Sequence, residues 1–198
     1  MLYHILYPLH TYLSAFNVFK YITFRTIYAT LTALVICLLL GPWFIRLLQR
    51  LRLKERINGY TPKTHLGKTG TPTMGGILIV SAIAVATLLW ADLFNLYVWL
   101  CMFILITYAV LGFIDDYLKT IKGSMVGVPA KIRLLVEFCA AAVVGYILVS
   151  LPGFDRNIVI PFFKNISLDL GVLYIPFVMM VIVGTANAVN LTDGLDGL

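Results

Sequence analysis

Long charge-free runs separated by short charged segments dominate the chain. Five windows contain no Asp, Glu, Lys or Arg: Thr26–Ile45 (20 residues), Thr69–Ala91 (23), Leu93–Ile114 (22), Phe138–Phe154 (17) and Leu170–Thr192 (23). A helix needs about 20 predominantly apolar residues to cross the hydrocarbon core of a bilayer. Each window therefore predicts a transmembrane helix, with spans at 22–45, 71–91, 93–114, 134–154 and 170–192. The fourth is expected to begin before its window, near Leu134. The windows are apolar all round, whereas the strands of a membrane barrel alternate in hydrophobicity over about 10 residues. The predicted fold is all-α: a polytopic transmembrane helical bundle forming one domain over residues 1–198, with no room for a separate soluble domain.

Composition agrees with this reading. Of the 198 residues 61% are hydrophobic and 12% charged, against about 25% charged in soluble domains. The first 25 residues lack a basic start, and no small-residue cleavage site follows an apolar core, so the first span is expected to stay in the mature protein. Cys37, Cys101 and Cys139 all lie inside apolar windows and make neither a disulfide framework nor a metal spacing. They read as small core or lipid-facing residues.

Charge sets the expected orientation, because Lys and Arg mark the cytoplasmic side. The segment between spans one and two carries Arg46, Arg50, Arg52, Lys54, Arg56, Lys63 and Lys68, and that between spans three and four carries Lys119, Lys122, Lys131 and Arg133. Eleven of the fifteen basic residues thus fall on one side, with Lys20, Arg25, Arg156 and Lys164 on the other. The N-terminus is placed outside and both basic loops in the cytoplasm. Asp115, Asp116, Asp193 and Asp196 then all fall at the cytoplasmic face, while Glu55, Asp92, Glu137, Asp155 and Asp169 are scattered singly.

Residues 1–20 are aromatic and weakly polar, with Tyr3, Tyr7, Tyr12, Phe16 and Phe19, and suit an interfacial segment. Trp43–Ile57 reads as span one running on into a basic, amphipathic helix, most simply a snorkelling anchor at anionic lipid. Asn58-Gly59 and Thr61-Pro62 break it. The following loop, His65 to Gly76, is rich in Gly and Thr and has the backbone amides and hydroxyls to cradle a phosphate, although loops in general share that composition. Tyr117–Lys131 reads as a basic loop, and 155–169 as a hairpin or interfacial loop.

Two places carry chemistry. Asp115-Asp116 closes an apolar span. Adjacent carboxylates repel, and a divalent cation or a proton would relieve that; Mg²⁺ takes one or two carboxylates plus substrate phosphate oxygens. The plainer alternative is a polar helix end among the headgroups. The second place is Asn187-Ala-Val-Asn190-Leu-Thr-Asp193-Gly194-Leu-Asp196-Gly197-Leu198. If helical, its spacing puts Asn187, Asn190, Asp193 and Asp196 near one face. Polar side chains at a span end are costly unless they face a cavity or partner helices, and Gly194 and Gly197 allow a turn. Helix–helix glue is an adequate account of the Asn pair but a poor one of the Asp pair. His4, His10 and His65 read as isolated.

Three segments together, Gly70-Thr-Pro-Thr-Met-Gly-Gly76, Gly112-Phe-Ile-Asp-Asp-Tyr117 and the Asn187–Leu198 run, resemble the phospho-N-acetylmuramoyl-pentapeptide transferases, a branch of the polyprenyl-phosphate N-acetylhexosamine-1-phosphate transferases. Their order and membrane context match as well, over essentially the whole chain. The resemblance implies ten transmembrane helices, a cytoplasm-facing site in the bacterial inner membrane, a homodimer, a Mg²⁺ requirement and no nucleic-acid partner. The implied reaction transfers phospho-N-acetylmuramoyl-pentapeptide from its UDP derivative to undecaprenyl phosphate, giving the first lipid-linked peptidoglycan precursor and UMP. By position, Asp115 matches the family's base toward the lipid phosphate, or in another proposal its nucleophile. Asp116 matches the acidic neighbour by metal and phosphates. Asn187, Asn190, Asp193 and Asp196 match the nucleotide-sugar pocket, Lys68 and Thr73 the loop bordering it, and Lys119 and Lys131 cationic positions near the diphosphate.

One departure qualifies the resemblance. The chain stops at Leu198, where the family continues with further helices that supply another metal-binding Asp and a His-rich loop. The chain is accordingly expected to be a fragment, inactive alone. Three other readings compete: a sister-branch transferase using UDP-N-acetylglucosamine, a cation-coupled transporter, and a structural half-protein pairing with a full-length copy. The transporter reading requires ionisable groups near the bilayer midplane, whereas these lie at span ends.

Overall fold

The computed structural model describes residues 1–51, 74–120, 127–159 and 167–196; of 193–196 it describes the backbone. Among these residues the chain is all-α apart from one small hairpin. Four of the described helices are long and apolar enough to cross a membrane, and a fifth described apolar helix is shorter, so the protein is a multi-pass membrane protein. Leu38 and Leu39 are 66% and 74% exposed on the first of them, as suits a helix face turned to lipid. The described residues group into two compact units, Met1–Gly127 and Val128–Leu198.

In the first unit, α1 (Leu2–Leu6) and two 3-10 turns (Tyr7–Thr11 and Ser14–Lys20) lead into α2 (Ile22–Arg50). Inside α2, the hydroxyls of Thr26, Thr30 and Thr32 donate to the carbonyls of Ile22, Thr26 and Tyr28 at 2.7–3.0 Å. They thereby satisfy themselves where no water is available. Pro42 sits within the helix, and Arg46 Nε donates back to its carbonyl at 3.0 Å. The helix runs past its charge-free window into the basic stretch as far as Arg50. The N-terminal aromatics stack, Tyr3 on Tyr7 at 5.6 Å, and the Arg25 guanidinium lies 4.2 Å from the Tyr3 ring centroid. His4 is not isolated: Leu93 N–H donates to its Nε2 at 3.1 Å, and Asp92 Oδ1 lies 3.3 Å from the same nitrogen.

Helix α3 (Gly76–Trp90) has 15 residues, fewer than its 23-residue window. At 1.5 Å per residue it spans about 22 Å. It starts late because Met74 and Gly75 remain outside it, Met74 with φ +70. Its fully buried residues are the small Ala82 and Ala86, which permit close approach of neighbouring backbones. Asn95 Oδ1 accepts the Tyr97 N–H at 2.9 Å and so caps α4 (Leu96–Thr120). α4 extends six residues beyond the apolar window. Residues 117–120, read from the sequence as loop, are its last turn.

In the second unit, Pro129 immediately precedes α5 (Ala130–Ser150), four residues ahead of the expected Leu134. α5 ends at Ser150, inside the apolar window, because Pro152 cannot continue it and Gly153 turns the chain at φ +78. Strands β1 (Asn157–Val159) and β2 (Ser167–Asp169) then pair antiparallel, with Asn157 opposite Asp169 and Val159 opposite Ser167. A 3-10 turn (Gly171–Leu173) leads into α6 (Tyr174–Asp196), with Pro176 in its first turn, where no intrahelical N–H bond is lost.

Helices α5 and α6 approach closely through small residues. Ala140, Ala141 and Gly145 are buried on α5, and a Cβ added at Gly145 would lie 3.2 Å from both the Cα and Cγ2 of Ile175. Gly145→Leu forces these backbones apart. The expected cost is about 1–3 kcal/mol, read as a lower melting temperature in detergent; an unchanged melting temperature would contradict this packing.

Candidate functional site

The C-terminal turns of α4 present the acidic pair. Asp115 and Lys119 stand four residues apart on one helical face, and their Oδ2 and Nζ meet at 2.6 Å. The Asp115 side chain is 17% exposed and that of Lys119 50%. Gly127, buried and at φ +62, closes over this pair. A Cβ there would collide with the Asp115 carboxylate and press on Lys119 Cε, so only glycine allows the chain to pass this close. Gly127→Ala is expected to displace the pair and to add left-handed strain of about 1–2 kcal/mol. The variant should melt below the parent in detergent, and an unchanged melting temperature would contradict the contact.

Asp116, half-buried, lines a cleft of about 400 Å³ between α3 and α4 together with Met74, Ile77, Val80, Ile106 and Phe113. Met74 is 7% exposed. It is the one described non-glycine residue in the left-handed region, a conformation that persists only where its surroundings enforce it. The Met-Gly-Gly end of the first sequence motif therefore borders the same cleft as the second motif.

The donor set here suits a metal shared with substrate. Asp115 and Asp116 could supply the one or two carboxylates that Mg²⁺ takes beside phosphate oxygens and water, and Asp115 holds an oxygen against the space a side chain at 127 would fill. Among the described residues no group of three or more His, Cys, Asp or Glu is assembled, so these residues form no closed protein cage.

In the second unit, α6 is continuous through Asn187, Asn190, Asp193 and Asp196, so the three-residue spacing is helical. Gly194 lies inside this helix and makes no turn; Gly197 lies outside the described residues. Asn187 Nδ2 donates to Glu137 Oε2 at 2.5 Å and to the Val183 carbonyl at 2.9 Å. Glu137 is 1% exposed, and its Oε1 accepts from Arg133 Nε at 3.0 Å. Asn190, on α6, and Lys131, on the first turn of α5, are exposed. Lys68 and Thr73 lie outside the described residues.

In the sequence Glu137 stands among the singly scattered acids. Two signals marked it: a carboxylate at the edge of an apolar span is costly unless paired, and Arg133 stands one helical turn before it. The Lys119 ammonium, half exposed, is engaged with Asp115.

The model of glycosyl transferase family 4 matches residues 95–198, just over half of the chain. A phospho-N-acetylmuramoyl-pentapeptide-transferase signature matches residues 68–80. Among curated relatives, the phospho-N-acetylmuramoyl-pentapeptide-transferase of Syntrophus aciditrophicus (strain SB) is 57% identical over 198 residues, all of this chain and 55% of the relative. Those of Desulforapulum autotrophicum and Pelobacter propionicus are 54% and 52% identical over the same shares. The chain thus spans about half the length of the curated relatives it matches.

Proposed function

The chain belongs to glycosyl transferase family 4, and on that premise we propose that it serves the transfer of phospho-N-acetylmuramoyl-pentapeptide from its UDP derivative to undecaprenyl phosphate, with release of UMP. The carrying observation is the 57% identity along the entire chain to a transferase of that name. The Asp115–Lys119 pair at the end of α4 gives the reading its chemistry.

An oxygen of the lipid phosphate forms a bond to the sugar-bearing phosphorus while that phosphorus loses its bond to the bridging oxygen, which leaves with UMP. Such transfers depend on positioning and charge stabilisation more than on covalent help from protein. Asp115 takes the remaining proton of the lipid phosphate. That proton leaves near pH 6 in phosphate monoesters, so the demand on the base is modest. Lys119 holds the Asp115 carboxylate in one orientation through the 2.6 Å ion pair. Asp115 and Asp116 would hold Mg²⁺, which would supply neutralisation of charge developing on the phosphates. Asn187, Asn190, Asp193 and Asp196 on α6 bind the nucleotide-sugar, and Lys68 and Thr73 border it. Lys131 bears on the diphosphate.

In the cell, this reading puts the protein in the bacterial inner membrane with its N-terminus outside and its basic loops in the cytoplasm, in contact with lipid and paired as a homodimer. The orientation rests on the eleven basic residues gathered on one side.

Donor choice tests the proposal. UMP release is measured with undecaprenyl phosphate and Mg²⁺, for this chain and for a version extended to the relatives' full length. The extended version is expected to release UMP from UDP-N-acetylmuramoyl-pentapeptide and not from UDP-N-acetylglucosamine, and to stop when Mg²⁺ is chelated. Release from the second donor alone would move the protein to the sister branch.

A further inference from the structure

The trio of Arg133, Glu137 and Asn187 is not explained by span geometry alone. Glu137 is almost completely buried, 1% exposed, eight residues into α5, and it divides its two oxygens: Oε1 accepts from Arg133 Nε at 3.0 Å and Oε2 from Asn187 Nδ2 at 2.5 Å. The second Nδ2 proton of Asn187 goes to the Val183 carbonyl one turn back, at 2.9 Å. A side-chain amide has two donor protons, both on nitrogen, and one acceptor oxygen. Both protons are therefore committed within the protein. Flipping the amide would set its oxygen against a carboxylate and a carbonyl at once, acceptor against acceptor. What Asn187 has left to offer is Oδ1. The same residue lines a cleft of about 430 Å³ between α5 and α6 with Leu134, Phe138 and Val183, so it is reachable from outside the helix pair.

We propose that Glu137 is a positioning residue that fixes the Asn187 amide with its oxygen toward the ligand, so that Asn187 reads a hydrogen-bond donor, a hydroxyl or an amide N–H of the nucleotide-sugar, and does not contact a phosphate oxygen. Arg133 makes this arrangement tolerable, since a buried carboxylate is retained only when paired. The inference rests on the reading of function given above, in which Asn187 faces the donor substrate.

The arrangement demands a carboxylate at position 137. A glutamine has one acceptor oxygen for two donors, so its amide nitrogen would have to face either Arg133 Nε or Asn187 Nδ2. Swapping the two chemistries restores the match between positions 137 and 187, although the new carboxylate no longer donates to the Val183 carbonyl. With Glu137→Gln and Asn187→Asp together, the glutamine oxygen accepts from Arg133 while its nitrogen donates to the new carboxylate, whose other oxygen remains an acceptor toward the ligand.

The test uses the extended protein, measuring UMP release against each substrate in turn. Losing one orienting, charge-assisted hydrogen bond corresponds to about ten- to a hundredfold. Glu137→Gln is expected to raise the KM for UDP-N-acetylmuramoyl-pentapeptide by about that factor. kcat and the KM for undecaprenyl phosphate should stay within about threefold, a split that a general loss of structure would not produce. Asn187→Asp alone is expected to raise the same KM, and the double variant to recover part of it, the Val183 carbonyl staying unmatched. If Glu137→Gln alone does not fold, the double variant against Asn187→Asp carries the comparison. An unchanged donor KM in an active Glu137→Gln protein, or a double variant no better than Asn187→Asp, would overturn the positioning role. Absence of UMP release from the unsubstituted extended protein would instead overturn the underlying reading of function, and this inference with it.

Discussion

Replacing Asp115 with asparagine is expected to lower UMP release in the extended protein by about 10²–10⁴-fold, the usual contribution of a positioned acid or base. Two roles meet in this side chain. In the proposed reaction its carboxylate would accept the proton of the lipid phosphate and contribute to the metal site; in the structure it anchors Lys119 at 2.6 Å. Asparagine keeps the shape and loses both. The fall should appear in kcat, because the lost interactions belong to the reacting phosphate. Lys119→Met separates the roles: it leaves the carboxylate but removes its orienting partner, and should cost less than Asp115→Asn. The measurement is initial-rate UMP release at saturating substrates. A loss below tenfold for Asp115→Asn would remove Asp115 from the chemistry.

The largest expected effect on stability comes from Arg133→Met. It leaves the Glu137 carboxylate almost fully buried without its cationic partner. Breaking a buried pair from one side costs about 3–5 kcal/mol. Arg133 is itself 31% exposed, which places the cost near the lower end, about 3 kcal/mol. The variant should melt well below the parent in detergent. Adding Glu137→Met should recover much of the loss, since replacing both partners of such a pair with apolar groups is often close to neutral. What remains is the one Asn187 N–H that Glu137 had accepted, about 1–3 kcal/mol, its other N–H staying on the Val183 carbonyl. A melting temperature unchanged by Arg133→Met would show that the ion pair contributes nothing.

The transmembrane elements were legible because a bilayer leaves a simple mark: a charge must leave the apolar phase or find a partner. Each charge-free window therefore coincides broadly with a helix. Helix ends were less legible for the same reason. A window records where lipid stops, not where helical hydrogen bonding stops. α4 accordingly continues through Asp115, Asp116 and Lys119, charged residues that a helix accepts as readily as a loop does. α5 shows the opposite case, ending at Ser150 within an apolar stretch because of Pro152 and Gly153. At the site, the motif residues were readable as residues but not as partners. Arg133 and Glu137 are one turn apart and could be paired by eye, whereas Glu137 and Asn187 are joined across 50 positions. The contact of Gly127 with Asp115 depends on a backbone path that no spacing rule encodes.

The most direct test of the proposed activity follows the transferred group itself. The extended protein is placed in liposomes with undecaprenyl phosphate and Mg²⁺ and given UDP-N-acetylmuramoyl-pentapeptide labelled in its sugar. The account predicts that label moves into the organic-extractable lipid fraction, one equivalent for each UMP released, and that Asp115→Asn prevents it. Label remaining wholly in the aqueous phase, with or without UMP release, would contradict it.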